Sequence, residues 1–343
     1  MSGDQAASFI IPKPTTDLYD YVGLIRHPDG TILRKPAAQF PERAATPDPN
    51  QSTDLVLSKD IPVNQAKKTW ARVFMPRDAL DSSSSSATTP LLLPLIVYFH
   101  GGAFTMSSPA SFMIHDFCFN IALRLSAVVV SASYRLAPEH RLPAAHDDAL
   151  EALHWIKTSE DDWLKKHADL TKCVVMGTSS GGNIAYHACL RAAANVDDLR
   201  PMRIKGLIMH CPGFSGSERT ESELRMAHHE YLPAAFFDLV WELALPVGAD
   251  RDHEYGNPTV NGGSKSLEKF KDLDWKVLVT GGDKDPLIDR QIGVAKMMEE
   301  KGIKVETRFV AGDDHAEDAL DHSKMDLLLH AMKNFVFSAV TAE

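Results

Sequence analysis

The residues best equipped for chemistry are Gly177-Thr178-Ser179-Ser180-Gly181-Gly182, a G-x-S-x-G pattern that follows the apolar run Cys173 to Met176 and leads into a helical pattern. A serine reacts from such a strand-turn-helix junction because the tight turn exposes its hydroxyl, and the same turn requires small residues two positions to either side. Centred on Ser179 those positions are Gly177 and Gly181; centred on Ser180 one of them would be the β-branched Thr178, so Ser179 is the expected nucleophile. Attack on a carbonyl carbon needs donors for the oxyanion that then develops. The apolar run Leu93 to Phe99 ends in His100-Gly101-Gly102-Ala103-Phe104, a glycine-rich loop whose backbone N–H groups can be aimed without side-chain obstruction. Two of Gly101, Gly102 and Ala103 are expected to donate alongside Ser180, whose N–H lies at a helix N-terminus. His100 precedes the nucleophile and is read as a hydrogen-bonder that fixes the loop.

A serine hydroxyl needs a base, and the base needs a group to orient it. After the run Lys276 to Thr280 comes Gly281-Gly282-Asp283-Lys284-Asp285-Pro286, with Asp289 three residues on. Asp285 is the expected acid because it follows the Gly-Gly turn and precedes a proline that sets a helix start; Asp289 reads as a first-turn helix charge and Asp283 is the reserve. After the run Lys304 to Phe309 comes Ala311-Gly312-Asp313-Asp314-His315, which puts a histidine on a strand-end loop. His315 is the expected base, since an imidazole with an ordinary pKa of about 6.5 can take the serine proton and return it near neutral pH. His322 lies further on and reads as a surface residue; His228 and His229 have no partner pattern and read as exposed or packing residues.

Elements must bring these loops together. From Leu93 onward short apolar strands alternate with helical patterns: Ser111 to Leu125, Ala144 to Thr158, Gly182 to Ala194, Asp289 to Lys301 and Lys324 to Ala339 are helices between strands that include Ala127 to Ala132 and Ile204 to His210. Strands separated by helices pair in parallel through right-handed crossovers, so the fold class is α/β, a doubly wound, mostly parallel sheet with helices on both faces. In such sheets ligands sit beyond the carboxyl ends of the strands, where all four motifs fall. The alternation fails over 214–258, where Leu232, Phe236, Phe237, Val240, Trp241 and Leu243 share one helical side; this insertion is expected to be a helical cap over the pocket. Residues 1–50 read as an irregular arm with a short helix around Asp17 to Leu24, Asp54 to Val63 and Thr69 to Met75 as strands, and Asp81 to Pro90, with its serine run, as a loop.

The chain has 343 residues, 44% of them hydrophobic, enough for a full core. A formal charge of -10 opposes a nucleic-acid partner, and no apolar run approaches the roughly 20 residues that span a bilayer. The N-terminus lacks the build of a secretory signal, so a cytoplasmic location is expected. Cys118, Cys173, Cys189 and Cys211 have no metal-ligand spacing and read as reduced, mostly buried thiols; no cofactor or metal is expected.

With these motifs assembled, the chain resembles the plant carboxylesterases of the hormone-sensitive-lipase-like group of α/β-hydrolases. The resemblance runs over nearly the whole length, through Ala44 to Pro49, Ser58-Lys59-Asp60, His100-Gly101-Gly102, Ser133 to Ala145, the Ser179 turn, Asp285-Pro286-Leu287 and His315-Ala316. It implies the α/β-hydrolase fold, Ser179, Asp285 and His315 as the triad, Gly101, Gly102 and position 103 as the oxyanion loop, an arm that joins the cap, and a small-molecule ester substrate for a monomer or weak homodimer. Two departures stand out: the family usually has Gly where Ala103 stands and Asp where Thr178 stands, which puts the oxyanion geometry and the substrate in question. The Tyr134 to Ala145 segment looks structural, with Asp147 and Asp148 available to a helix N-terminus. Acyl elimination or transfer at the same triad, and a receptor like the gibberellin receptor, which resembles this family but has lost the histidine, are the competing functions. A compact cap predicts a preference for short acyl groups.

Overall fold

The run Leu93–Phe99 is apolar at nearly every position, as a strand covered on both faces must be, and it lies inside an eight-stranded sheet. The computed structural model describes residues 17–36, 40–46, 48, 52–82, 92–319 and 321–341; residues 1–16 and the serine-rich stretch 83–91 lie outside them. Its strands are β1 (Leu24–Arg26), β2 (Ile32–Arg34), β3 (Val56–Asn64), β4 (Thr69–Pro76), β5 (Leu93–Phe99), β6 (Val128–Ala132), β7 (Ala168–Thr178), β8 (Ile204–His210), β9 (Lys276–Gly282) and β10 (Lys304–Val310). The helices are α1 (Leu18–Tyr21), α2 (Arg77–Ser82), α3 (Phe112–Leu125), α4 (Ala144–Thr158), α5 (Asp162–His167), α6 (Ser180–Ala194), α7 (Glu221–Arg225), α8 (Ala234–Ala244), α9 (Glu268–Asp272), α10 (Ile288–Glu300) and α11 (His322–Val340).

The sheet order is β10-β9-β8-β7-β5-β6-β4-β3. Pairing is parallel from β10 through β6 and antiparallel where β4 meets β6 and β3 meets β4. Alternate side chains of β5 split between two cores: Leu95, Val97 and Phe99 pack with α4 and α6, and Ile96 and Tyr98 with α3 and α11. This is the doubly wound, mostly parallel α/β sheet expected from the alternation of strands and helices, and the α/β-hydrolase architecture that the resemblance implies. Parallel pairing puts the ends of β5, β7, β9 and β10 on one edge, so the loops that follow them converge.

The arm is more ordered than its composition suggests. The short helix stops at Tyr21, and Leu24 begins the β1–β2 hairpin instead of ending the helix. The signal was Asp29-Gly30: Gly30 has φ +87 and Asp29 accepts the Thr31 N–H, closing a turn that favours Gly after Asp. Arg34 pins the hairpin to the body through Glu139, at 2.7 Å, and the carbonyls of Thr105 and Ala137. In the Tyr134 to Ala145 segment, Asp148 turns away from the helix end and binds the Arg135 guanidinium at 2.8 Å and its backbone N–H at 2.9 Å, because a fully buried carboxylate needs a cation. All four cysteines are buried and unpaired. Among the described residues no helix is long and apolar enough to cross a membrane.

Candidate active site

The β7–α6 junction leaves no room for side chains around Ser179. A Cβ on Gly177 would lie 2.0 Å from the Gly181 carbonyl oxygen, and one on Gly181 would lie 2.0 Å from the Phe99 carbonyl oxygen. Ser179 itself adopts φ 55 and ψ -123, a strained conformation held by its backbone: its N–H donates to His210 O at 2.9 Å, and its carbonyl accepts from Gly182 and Gly213. The turn ends in α6, which starts at Ser180, two residues earlier than the helical pattern suggests.

His315 reaches Ser179 from the loop after β10. Its Nε2 lies 3.0 Å from Ser179 Oγ and its Nδ1 2.7 Å from Asp285 Oδ2. Asp285 is fully buried and accepts two further bonds, from Leu287 N–H at 2.8 Å on Oδ1 and from Gln291 Nε2 at 2.7 Å on Oδ2. The three residues singled out in the sequence are thus brought into one hydrogen-bonded chain. Burial alone would lower the pKa of His315; the Asp285 carboxylate, its hydrogen bond to Nδ1 and the charges of Asp314 and Asp318 outweigh that and hold it above 6.5. Asp283 is exposed and accepts the Gly312 N–H at 2.7 Å, tying the two loops, while Asp289 accepts the Ser222 N–H at 2.7 Å from the first turn of α10.

Opposite Ser179 runs the loop from His100 to Phe104. His100 is buried, and burial holds its pKa down at about 4, so it is neutral. Its Nδ1 meets Gly101 O at 2.7 Å, its ring stacks on Tyr134, and Tyr134 OH donates to His100 O at 2.8 Å, which locks the start of the loop. Gly102 has φ +124, and Ala103 keeps the left-handed geometry, φ 52, in spite of its Cβ. Ala103 thus holds a left-handed conformation that glycine adopts without strain. Among the described residues the N–H groups of Gly102, Ala103 and Ser180 donate to no protein acceptor, and all three residues line the cavity beside Ser179.

That cavity holds about 680 Å³. Its walls are Tyr21 and Phe40 from the arm, Phe236, Phe237, Val240 and Trp241 from α8, and Phe104, with Trp241 and Phe104 centroids 5.2 Å apart. Thr178 and Tyr98 form part of the floor, where Tyr98 OH donates to Thr178 Oγ1 at 3.0 Å. Four contributors were not legible in the sequence: Gln291, Asp314, Cys211 and His229. Asp314 Oδ1 accepts the His315 N–H at 2.6 Å. His229 is not an unpartnered surface residue: its ring is 3.0 Å from Asp314 Oδ2, because the segment after α7 folds back onto the β10 loop. Cys211 Sγ, Asp285 and His315 offer ligand atoms within 4.8 Å of one another, a grouping that sequence spacing does not reveal. A metal there would have to break the His315–Asp285 bond and ionise a thiol that burial and the Asp285 charge push well above its usual pKa.

The class defined by this sheet and this hydrogen-bonded chain is the α/β hydrolases, and the family described as alpha/beta hydrolase fold matches residues 96–318. Within it the chain belongs to the plant carboxylesterases. It is 49% identical over 329 residues to Carboxylesterase 20 of Arabidopsis thaliana, covering 96% of this chain and 99% of that one. It is 43% identical to 3-O-acetylpapaveroxine carboxylesterase CXE1 of Papaver somniferum, covering 94% and 98%. Among solved structures, a Pyrobaculum calidifontis esterase superposes with a TM-score of 0.68 at 26% identity, covering 86% of this chain and 88% of that one.

Proposed function

We propose that the chain hydrolyses esters of apolar small molecules through an acyl-enzyme on Ser179, in plant specialised metabolism. The observation that carries this reading is the unbroken path from Ser179 Oγ through His315 to Asp285 at the foot of an aromatic cavity. His315 Nε2 takes the hydroxyl proton as Oγ attacks the carbonyl carbon. The imidazolium that forms faces a buried carboxylate, which stabilises it and fixes the Nδ1–H tautomer. The oxyanion is received by Ser180 N–H and two of the N–H groups of Gly101, Gly102 and Ala103, preorganised donors at the foot of the cavity. Collapse returns the proton to the leaving alcohol, and water repeats the sequence to release the acid.

The arm and the segment 214–258 together act as the cap, and their rings select for apolar substrates. Lys284 is the basic residue of the cavity wall against Asp314, Glu317, Asp318 and Asp321, which disfavours anionic esters. The poppy relative's name gives it an acetyl ester, in line with a short acyl group here. The test is turnover of nitrophenyl acetate, butyrate and palmitate by wild type and Ser179→Ala. Turnover that falls to background in the variant, with acetate or butyrate cleaved fastest, is expected. Tight ligand retention without turnover in the wild type would overturn the enzymatic reading in favour of a receptor. A released unsaturated product in place of the alcohol would overturn hydrolysis in favour of elimination.

A further inference from the structure

The loop that carries His315 has no regular secondary structure between the end of β10 at Val310 and the short helical turn at Glu317. One backbone bond, Lys284 N–H to Asp313 O at 3.0 Å, ties it to the Asp285 loop, and side chains supply most of the rest. The His315 N–H is held by Asp314 Oδ1 at 2.6 Å, and the next residue, Ala316, sits at φ 51 with its N–H on Cys211 Sγ at 3.4 Å, a weak acceptor. Asp285 holds the ring of His315, and Asp314 is the tie on its backbone N–H.

Its other oxygen, Oδ2, faces His229 Nε2 at 3.0 Å, from a segment 85 residues earlier in the chain. The tautomer of His229 is set by its surroundings. Nδ1 lies 3.3 Å from the Tyr231 N–H and 3.2 Å from the Leu232 N–H, which can only donate, so Nδ1 accepts and the proton of a neutral ring sits on Nε2, directed at Asp314. Both ring nitrogens are committed, and the side chain is only 12% exposed. Tyr231 in turn accepts from Tyr21 OH at 3.3 Å, so one imidazole links the arm, the wall segment and the histidine loop. Burial tends to raise the pKa of Asp314, yet the His229 hydrogen bond, the His315 N–H and the nearby imidazoles keep it ionised with a lowered pKa.

We propose that His229 is a positioning residue for His315: through Asp314 it couples the segment over the cavity to the catalytic loop, so that the base is aligned only while that segment is seated. This inference rests on the reading of His315 as the base. A His229 that served only to fold its own segment would act through Nδ1, whereas a positioning role acts through Nε2, and two substitutions separate them. His229→Asn can still accept from the Tyr231 and Leu232 N–H groups but cannot reach Asp314; His229→Gln can place a donor near the Nε2 position but loses the acceptor.

The experiment measures kcat and KM for nitrophenyl butyrate, together with the rate at which a fluorophosphonate labels Ser179, in wild type, both variants, Asp314→Ala and the pair His229→Asn with Asp314→Ala. The expected result is that His229→Asn lowers kcat and the labelling rate by about 10- to 100-fold with little change in KM, and that His229→Gln recovers most of the loss. The double variant should be no slower than Asp314→Ala, because both substitutions break one path. The reverse ranking, with Asn near wild type and Gln impaired, or a change confined to KM, overturns the proposal. If His229→Asn does not fold, Asp314→Asn decides, because its amide oxygen still accepts the His315 N–H while its NH2 cannot accept from His229: kcat at the wild-type level overturns the proposal and a loss in kcat at constant KM supports it. A wild type that neither turns over esters nor takes the label would defeat the triad reading itself; an active wild type with indifferent His229 variants defeats only this inference.

Discussion

Gly102→Ala is the sharpest test of the loop facing Ser179. A Cβ at this position would lie 2.2 Å from Met106 O, about 1 Å inside the roughly 3.3 Å at which carbon and oxygen ordinarily meet. Neither side can yield cheaply, since Gly102 O already accepts from Thr105 N–H at 3.0 Å and from Met106 N–H at 2.9 Å in the same turn. The φ of +124 adds strain of about 1 to 3 kcal/mol for any residue with a side chain. Relief requires the 101–104 backbone to move by about 1 Å, which re-aims the N–H groups of Gly102 and Ala103; loss of one oxyanion donor costs on the order of 10² to 10³ in kcat. The loop lies at the end of β5, so the sheet should survive and melting should fall by only a few degrees. The assay is steady-state hydrolysis of nitrophenyl butyrate with fluorophosphonate titration to count folded sites. A folded variant with kcat within about threefold of wild type would refute the assignment of this loop to oxyanion binding. Ala103→Gly is the paired control: relief of about 1 to 2 kcal/mol of left-handed strain is opposed by about 0.4 to 1 kcal/mol of extra chain entropy, so stability and kcat should both stay near wild type.

Because His315 must be neutral to accept the proton and its pKa is held above 6.5, kcat/KM should fall as pH is lowered through a value above 6.5; a profile flat to about pH 5.5 would show that His315 is not the base. Trp241→Ala removes a buried ring from the cavity wall, and should lower stability by about 3 kcal/mol or more while raising the rate on long acyl esters relative to butyrate; an unchanged chain-length profile refutes a wall role. His100 and His187 are buried and neutral, with pKa values held at about 4 and about 3 by burial. The unfolded chain protonates these rings near 6.5, so it binds more protons than the folded chain below that pH. Stability is then fully present above about pH 7 and declines as pH falls toward 4, by up to about 1.4 kcal/mol per pH unit for each ring. Urea midpoints at pH 7.5, 6 and 5 check this, and an unchanged midpoint refutes it.

The sheet was readable because its strands announce themselves locally: Leu93–Phe99, Ile204–His210 and Lys276–Gly282 are largely apolar runs with glycines at or just after their C-terminal ends. The Ser179 turn, the His-Gly-Gly loop and the Asp285-Pro286 turn were readable for the same reason, since each encodes its demand in adjacent residues. What stayed hidden depends on distant pairing. Gln291 looks like any polar helical residue until Asp285 is placed beside it, and His229 has no local partner because its acceptor lies on the β10 loop. The β1–β2 hairpin was missed because its strands are only three residues each, too short for a period-2 pattern to rise above the polar background of the arm.

The cavity walls come from parts of the chain that hold none of the hydrogen bonds of Ser179. Tyr21 and Phe40 precede the sheet, and α8 is inserted between β8 and β9, whereas Ser179, Asp285 and His315 hang from strand termini locked by the core. Ligand preference can therefore drift by exchanging rings on the rim without disturbing the engine beneath. Engineering for a new ester should begin at positions 40, 236, 237 and 241, and should leave positions 21 and 229 alone.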